Sequence, residues 1–223
     1  MSLTGYYLSR RSAVDNYSSI ADASGYQIYP ITPLPDYDIT SSNALTQTYL
    51  RTLMYVNSAA KVNKPMIMIS QNFSWGNPAP DSRYPTVAEI RNMTYSGLAA
   101  GVKGILSYVY NSNLVNQAAL WNENKTLRTD VTTLESVLLN GTLTRVNTGD
   151  TELVISYWTY NDGIYVIVVN TSYTITKSVS IPISVFYGSA VAMFSRMPKT
   201  LSLSGGKLVG SISPEEVEVY KLK

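Results

Sequence analysis

The sequence predicts an α/β region built on a parallel sheet, followed by an all-β region of small antiparallel strands packed as a sandwich. Three observations carry this. Up to Asn140-Gly141 short apolar runs alternate with helical stretches. Beyond that point strands follow one another with turn signals between them. The run Met66 to Ser70 (MIMIS) is continuously apolar, a pattern that suits a parallel strand covered on both faces.

The elements follow in order. Gly5 to Leu8 is a short strand candidate, followed by a weak helical stretch over Ala13 to Ala21. Gly25 to Ile31 is a strand stopped by Pro30 and Pro33. Ala44 to Val62 carries Leu45, Tyr49, Leu53 and Val56 at helical spacing, and Lys64-Pro65 leads into the strand Met66 to Gln71. Thr86 has Glu89 three residues on, a capping-box signature, and Gly101 suits the other end of that helix. Gly104 to Tyr110 is the next strand. One long helix with Leu120, Leu127, Val131, Leu134 and Leu138 on a stripe then ends at Gly141.

In the second region Asp162-Gly163 between two apolar runs predicts a hairpin. Thr174 to Ile183, Ala190 to Phe194, Thr200 to Leu203, Lys207 to Val209 and Val217 to Leu222 bring the total to about seven short strands, the spacing of a sandwich. The expected division is residues 1–145 and 146–223.

Composition narrows the function. The 223 residues are 45% hydrophobic and carry a net charge of +2 without a basic or acidic block, so nucleic acid has no electrostatic footprint here. A membrane role is equally unsupported, since no apolar run approaches the ~20 residues of a spanning helix. Met1-Ser2-Leu3 opens no signal peptide. With no Cys and no His, the chain lacks a disulfide framework, thiol chemistry, the commonest general base and the commonest metal ligand. No metal cluster, phosphate-binding glycine loop or nucleophile triad is present, and no cofactor is expected. Charged residues make up only 14%, against ~25% in ordinary soluble domains. A neutral, hydroxyl-rich surface suits an acidic exterior, because few ion pairs are lost when carboxylates protonate; compositional drift is the alternative. Six Asn-x-Ser/Thr sequons begin at Asn16, Asn72, Asn92, Asn124, Asn140 and Asn170. Used sequons would fit an extracellular glycoprotein, whereas in a chain this rich in Asn, Ser and Thr several arise by chance.

Several stretches carry a resemblance. Lys64 to Phe73 (KPMIMISQNF) looks like strand seven of glycoside-hydrolase-like (β/α)8 barrels, in which a Lys-Pro pair opens the strand and a polar residue closes it. Arg83 to Arg91 is similar to their R-x-P-T-x-x-E-x-R helix start, and Gly97 to Tyr110 to the passage into strand eight. Ala21 to Pro30 resembles strand six, and Ile212 to Tyr220 the last strand of the sandwich that follows such barrels. The resemblance covers nearly the whole chain in the family's order. It implies the second half of a barrel, strands five to eight, with its C-terminal β-sandwich, and carbohydrate as the ligand. Two departures bear on activity. The general acid of this superfamily sits on strand four, and no such motif occurs here. The strand-seven position of the retaining nucleophile is Gln71, as in some relatives of this barrel type. An amide binds a sugar hydroxyl but does not attack an anomeric carbon, and glycoside hydrolysis uses two carboxyl groups.

The candidate site residues lie at the C-terminal ends of the predicted parallel strands, where such sheets place ligands. Gln71 is a sugar-binding candidate or a structural amide bonding the next loop. Trp75 is a stacking platform or a loop anchor. Tyr29, Tyr108 and Tyr110 present hydroxyls to a cleft, although one or two of them pack if alternation turns them away. Asp36 and Asp38 are the only carboxylates on the functional side worth testing as catalytic, with turn formation as the alternative. Glu89 reads as a helix cap, Asp22 falls at the far end of the sheet, Glu123 and Glu135 sit on helix faces, and Trp121 reads as core or interface. Two functions remain open. The chain is the C-terminal portion of a carbohydrate-active enzyme, inactive alone, or a non-enzymatic sugar-binding or structural module on an exterior such as an archaeal cell or virus surface. In both, an open barrel half needs a partner: the missing N-terminal half, a second copy, or a different protein.

Overall fold

The computed structural model describes residues 20–31, 39–40, 42–75, 83–161, 163–182 and 188–223. The expected strand at Gly5 to Leu8, most of the helix at Ala13 to Ala21, the loop holding Asp36 and Asp38, and Asp162 lie outside these. Among the described residues the fold is mixed α/β with three sheets. No described helix is long and apolar enough to cross a membrane.

The first sheet is parallel. Strand β1 (Ser24–Ile28) pairs with β2 (Met66–Gln71), which pairs with β3 (Gly104–Tyr108). Helix α1 (Ala44–Ala60) joins β1 to β2, and α2 (Val87–Ala100) joins β2 to β3. Helix α2 begins and ends as its sequence predicts. The Thr86 hydroxyl accepts from the Glu89 N–H while the Glu89 carboxylate accepts from the Thr86 N–H, and Gly101 takes φ 97° at the other end. The stretch after β3 is two helices rather than one, α3 (Ser112–Asn116) and α4 (Ala118–Asn140), broken at Gln117 where ψ is 73°.

From Gly141 the chain turns antiparallel. A Cβ at Gly141 would meet the Val137 carbonyl at 2.5 Å, so glycine lets the chain leave α4 sharply into β4 (Thr142–Arg145), a strand the sequence did not announce. β4, β5 (Leu153–Tyr160), β6 (Gly163–Asn170), β11 (Val217–Leu222) and β8 (Ala190–Ala192) form a five-stranded sheet in that order. β7 (Lys177–Pro182), β10 (Lys207–Ile212) and β9 (Ser202–Ser204) form a three-stranded one. Asn161 supplies the positive φ of the β5–β6 turn.

The three central strands of the five-stranded sheet, β5, β6 and β11, are buried on both faces. Ile155, Val166, Val168 and Tyr220 share a core with Val179, Ile181, Leu208 and Ile212 of the smaller antiparallel sheet. Val154, Trp158, Ile167, Val169 and Val219, pointing the other way, share a core with Ile90, Met93 and Leu98 of α2 and Leu134 and Leu138 of α4. Helix α2 therefore lies between the parallel sheet, whose Met66 and Met68 belong to the same cluster, and the five-stranded one.

The expectation of two-sided cover for β2 is met on one side. Met66, Met68 and Ser70 are buried against the helices, whereas Ile67 and Ile69 are only half-buried. In register with them stand Gly25 and Gln27 of β1 and Gly104 and Leu106 of β3. Gln27 is exposed and Leu106 is 56% exposed.

An ion-pair network ties the layers. Arg91 of α2 donates from Nε and Nη2 to the Glu123 carboxylate of α4 at 2.9 and 3.1 Å. Arg196 bonds the same carboxylate at 2.8 Å and also Asp130, which accepts the Tyr95 hydroxyl at 3.0 Å. Glu123 and Asp130 are buried, so Glu123 is a member of an interior cluster rather than a face-of-helix charge.

Candidate functional site

Parity within the strands brings the rings together. Residues 67, 69 and 71 project to one side of β2, Tyr29 and Tyr108 extend the same face of β1 and β3, since Gln71 pairs with Tyr108 and Ile28 with Ser70, and Phe73, just past the end of β2, joins them. The result is a cluster at the C-terminal ends of all three parallel strands. Tyr29 stacks on Tyr108 with centroids 5.7 Å apart and meets Phe73 edge-on at 5.0 Å. Phe73 meets Trp75 at 5.1 Å and Tyr108 at 5.6 Å, both edge-on. Trp75 and Tyr108 are 44% and 48% exposed. Burial, and then the neighbouring Tyr108, push the Tyr29 hydroxyl above its ordinary pKa. Among the described residues that hydroxyl is enclosed without a hydrogen-bond partner.

Gln71 is fully enclosed. Its Oε1 accepts the Ile31 N–H at 2.9 Å, and its Nε2 donates to the Ile31 carbonyl at 2.8 Å and to the Phe73 carbonyl at 3.0 Å. Those bonds describe a structural amide: they use both amide hydrogens and lock the exit of β1 to the exit of β2. The Trp75 indole N–H donates to the same Ile31 carbonyl at 3.0 Å, which fixes the ring as a loop anchor while leaving part of it open. Asn72 extends the bracing. Its Oδ1 accepts from Asn124 Nδ2 at 2.8 Å, and Asn124 Oδ1 accepts the Ser107 hydroxyl at 3.1 Å, tying α4 to β3.

Of the residues singled out from sequence, Tyr29, Trp75 and Tyr108 come together. Tyr110, 70% exposed, instead packs on Trp121 at 5.4 Å, whose ring Lys125 overlies at 5.8 Å. Asp36 and Asp38 lie outside the described residues. Phe73 was missed as a site residue, although its place two residues after Gln71 signalled the shared face. Among the described residues no group of three or more acidic side chains is set to hold a metal.

Glu89 is more than a cap. Arg83 grips its carboxylate with two bonds of 2.7 Å, and the Tyr173 hydroxyl of the antiparallel region donates to it at 3.0 Å. Burial alone raises this carboxyl, but Arg83, the Thr86 N–H and Tyr173 outweigh it and hold the pKa below its ordinary value. Nearby Glu215 is shifted upward by burial and by the Glu89 charge, with Arg83 opposing.

No family model matches the sequence, and no curated protein matches it. Solved structures do match the fold. A GH51 arabinofuranosidase from Xanthomonas axonopodis pv. citri is 10% identical with a TM-score of 0.55, over 96% of this chain and 55% of its own. The α-amylase GTA from Geobacillus thermoleovorans, complexed with acarbose, is 14% identical with a TM-score of 0.54, over 96% and 57%. The isomaltulose synthase SmuA from Protaminobacter rubrum is 11% identical with a TM-score of 0.51, over 80% and 46%. At such identities the likeness is one of fold alone. The chain spans about half the length of these solved structures.

Proposed function

We propose that the chain is the C-terminal portion of a glycoside-hydrolase-like, carbohydrate-active protein on an extracellular or virion surface, and that it recognises neutral sugar without hydrolysing it alone. The observation that carries this reading is the four-ring cluster at the C-terminal ends of three parallel strands, the position at which parallel α/β sheets place ligands. Apolar ring faces suit sugar C–H groups, and Trp75 and Tyr108 each keep part of the ring open. Hydrolysis needs an acid and a second carboxyl group. At the end of β2 this chain offers Gln71, whose amide is already engaged. That engagement also favours the second reading, a non-enzymatic surface or assembly module that binds sugar with no catalytic partner at all.

The open face bearing Ile67, Ile69 and Leu106 is, in the same proposal, covered by a complementary barrel half. That half comes from the same polypeptide or from another chain.

Calorimetric titration with a panel of neutral oligosaccharides tests the reading. Saturable binding is expected, weakened on the order of tenfold (about 1.4 kcal/mol) by Trp75→Ala in protein that still melts cooperatively. Absence of binding, or binding indifferent to Trp75→Ala, contradicts it. No turnover of aryl glycosides is expected from the chain alone. Robust turnover that vanishes with Asp36→Asn or Asp38→Asn would move the site to that loop.

A further inference from the structure

Five of the six sequons fall among the described residues, and their environments differ sharply. The Asn170 Nδ2 is buried and donates to the Ile175, Ile212 and Ser213 carbonyls at 2.8, 3.1 and 2.9 Å. The Asn92 Nδ2, equally buried, donates to the Asn170 and Glu215 carbonyls at 2.7 and 3.0 Å. Asn72 is buried and accepts from Asn124. Asn124 is half-buried within α4 and spends its own Nδ2 on Asn72 and on the Leu120 carbonyl. A glycan on any of these four nitrogens would have to open the interior or break a bracing bond.

Asn140 is different. It is the last residue of α4, exposed, and its Nδ2 makes a 3.2 Å bond to the Ser136 carbonyl within its own turn. Gly141 turns the chain away immediately, and the sequon's hydroxyl, on Thr142, is exposed. Leu139 beside it is 49% exposed, an apolar side chain that a polar glycan would shield. Asn140 also lies at the opposite end of the parallel sheet from the rings. Lys103, just before β3, bonds the Leu138 carbonyl at 2.6 Å, whereas Asn124, two helical turns from the start of α4, meets β3 near its far end at Ser107.

We propose that Asn140 is an N-glycosylation site, and that among the sequons of the described residues it is the one whose glycan the folded chain tolerates. The co-reactant is an oligosaccharide linked through phosphate to a membrane polyprenol. The Asn140 Nδ2 attacks the anomeric carbon, a C–N bond forms, and the anomeric C–O bond to phosphate breaks. The lipid phosphate leaves with the electron pair, and the amide proton passes to a base of the transferase. The proposal rests on the exterior placement given above, and the test separates the two by supplying the secretory route.

The full chain is expressed behind a cleavable leader in a glycosylating eukaryotic host, and the folded secreted fraction is mapped by peptide mass after enzymatic deglycosylation, which converts a glycosylated Asn to Asp. The expected result is conversion at Asn140 and none at Asn72, Asn92, Asn124 or Asn170. N140Q and T142A should each abolish the Asn140 glycan and leave the melting curve unchanged; Asn16 is read separately in the same map. An unmodified Asn140 in the folded fraction, or a glycan at Asn92 or Asn170 in protein that still melts cooperatively, overturns the proposal.

Discussion

The five-stranded antiparallel sheet and the three-stranded parallel sheet are built from similar words. Ile164 to Val169 and Met66 to Ile69 are both unbroken apolar runs. In the first, alternate side chains enter two different cores, with Val166 and Val168 on one face and Ile167 and Val169 on the other. In the second, Met66 and Met68 enter a core while Ile67, Ile69 and the neighbouring Leu106 face outward with partial cover. The difference teaches that a run without alternation announces demand for two covered faces, and that among the described residues the parallel sheet meets that demand in full on one face only, the other being assigned to a complementary barrel half in the proposal above.

Truncation should expose this contrast most strongly. Trp158, buried between the five-stranded sheet and the helices, should cost roughly 3–5 kcal/mol as Trp158→Ala, whereas Leu106→Ala should stay within about 0.5 kcal/mol, both read from denaturant melts. Equal losses would mean that the parallel sheet's outer face is as well packed as the antiparallel core.

Much of this contrast was legible beforehand, and part was not. The parallel arrangement of Met66–Gln71 with its neighbours follows from strands alternating with helices, and the Thr86/Glu89 capping box and the β5–β6 hairpin follow from local chemistry, which sequence shows well. β4 was hidden because Thr142 to Arg145 has little apolar content and its pairing with β5 is a tertiary matter. The break at Gln117 was hidden because no Gly or Pro marks it. At the site, the positions of Tyr29, Trp75 and Tyr108 were readable from strand ends. The engagement of Gln71 was not, since it depends on where the backbone of Ile31, forty residues away, comes to lie. The burial of Glu123 likewise depends on Arg196, distant in sequence.

That network predicts the next largest effect. Arg196→Met leaves Glu123 and Asp130 buried with one cation fewer, and should cost toward the lower end of the ~3–5 kcal/mol typical of a broken buried pair, because Arg196 keeps some contact with water. A neutral result in thermal unfolding would mean that Arg91 alone satisfies the cluster.

A smaller effect concerns pH. The depressed Glu89 pKa contributes stability that is fully present above its ordinary value of 4.5 and is lost as pH falls through the depressed folded value. Glu89→Gln should therefore lower stability at neutral pH and flatten the acid limb of the stability profile. Glu215, shifted upward by burial and the Glu89 charge, has the opposite sign: its penalty is fully present above the raised folded value and is relieved as pH falls through it and below the ordinary 4.5, so Glu215→Gln should raise stability at neutral pH and matter least in acid. Parallel acid limbs in wild type and Glu89→Gln would contradict the first assignment.

The open face of the parallel sheet is tested most directly by light scattering with size-exclusion chromatography over a dilution series, with an exposed-hydrophobe dye in parallel. Dye binding and concentration-dependent association are expected, both reduced by Leu106→Glu. A chain that stays monomeric throughout the series, melts cooperatively and binds no dye would contradict the open face.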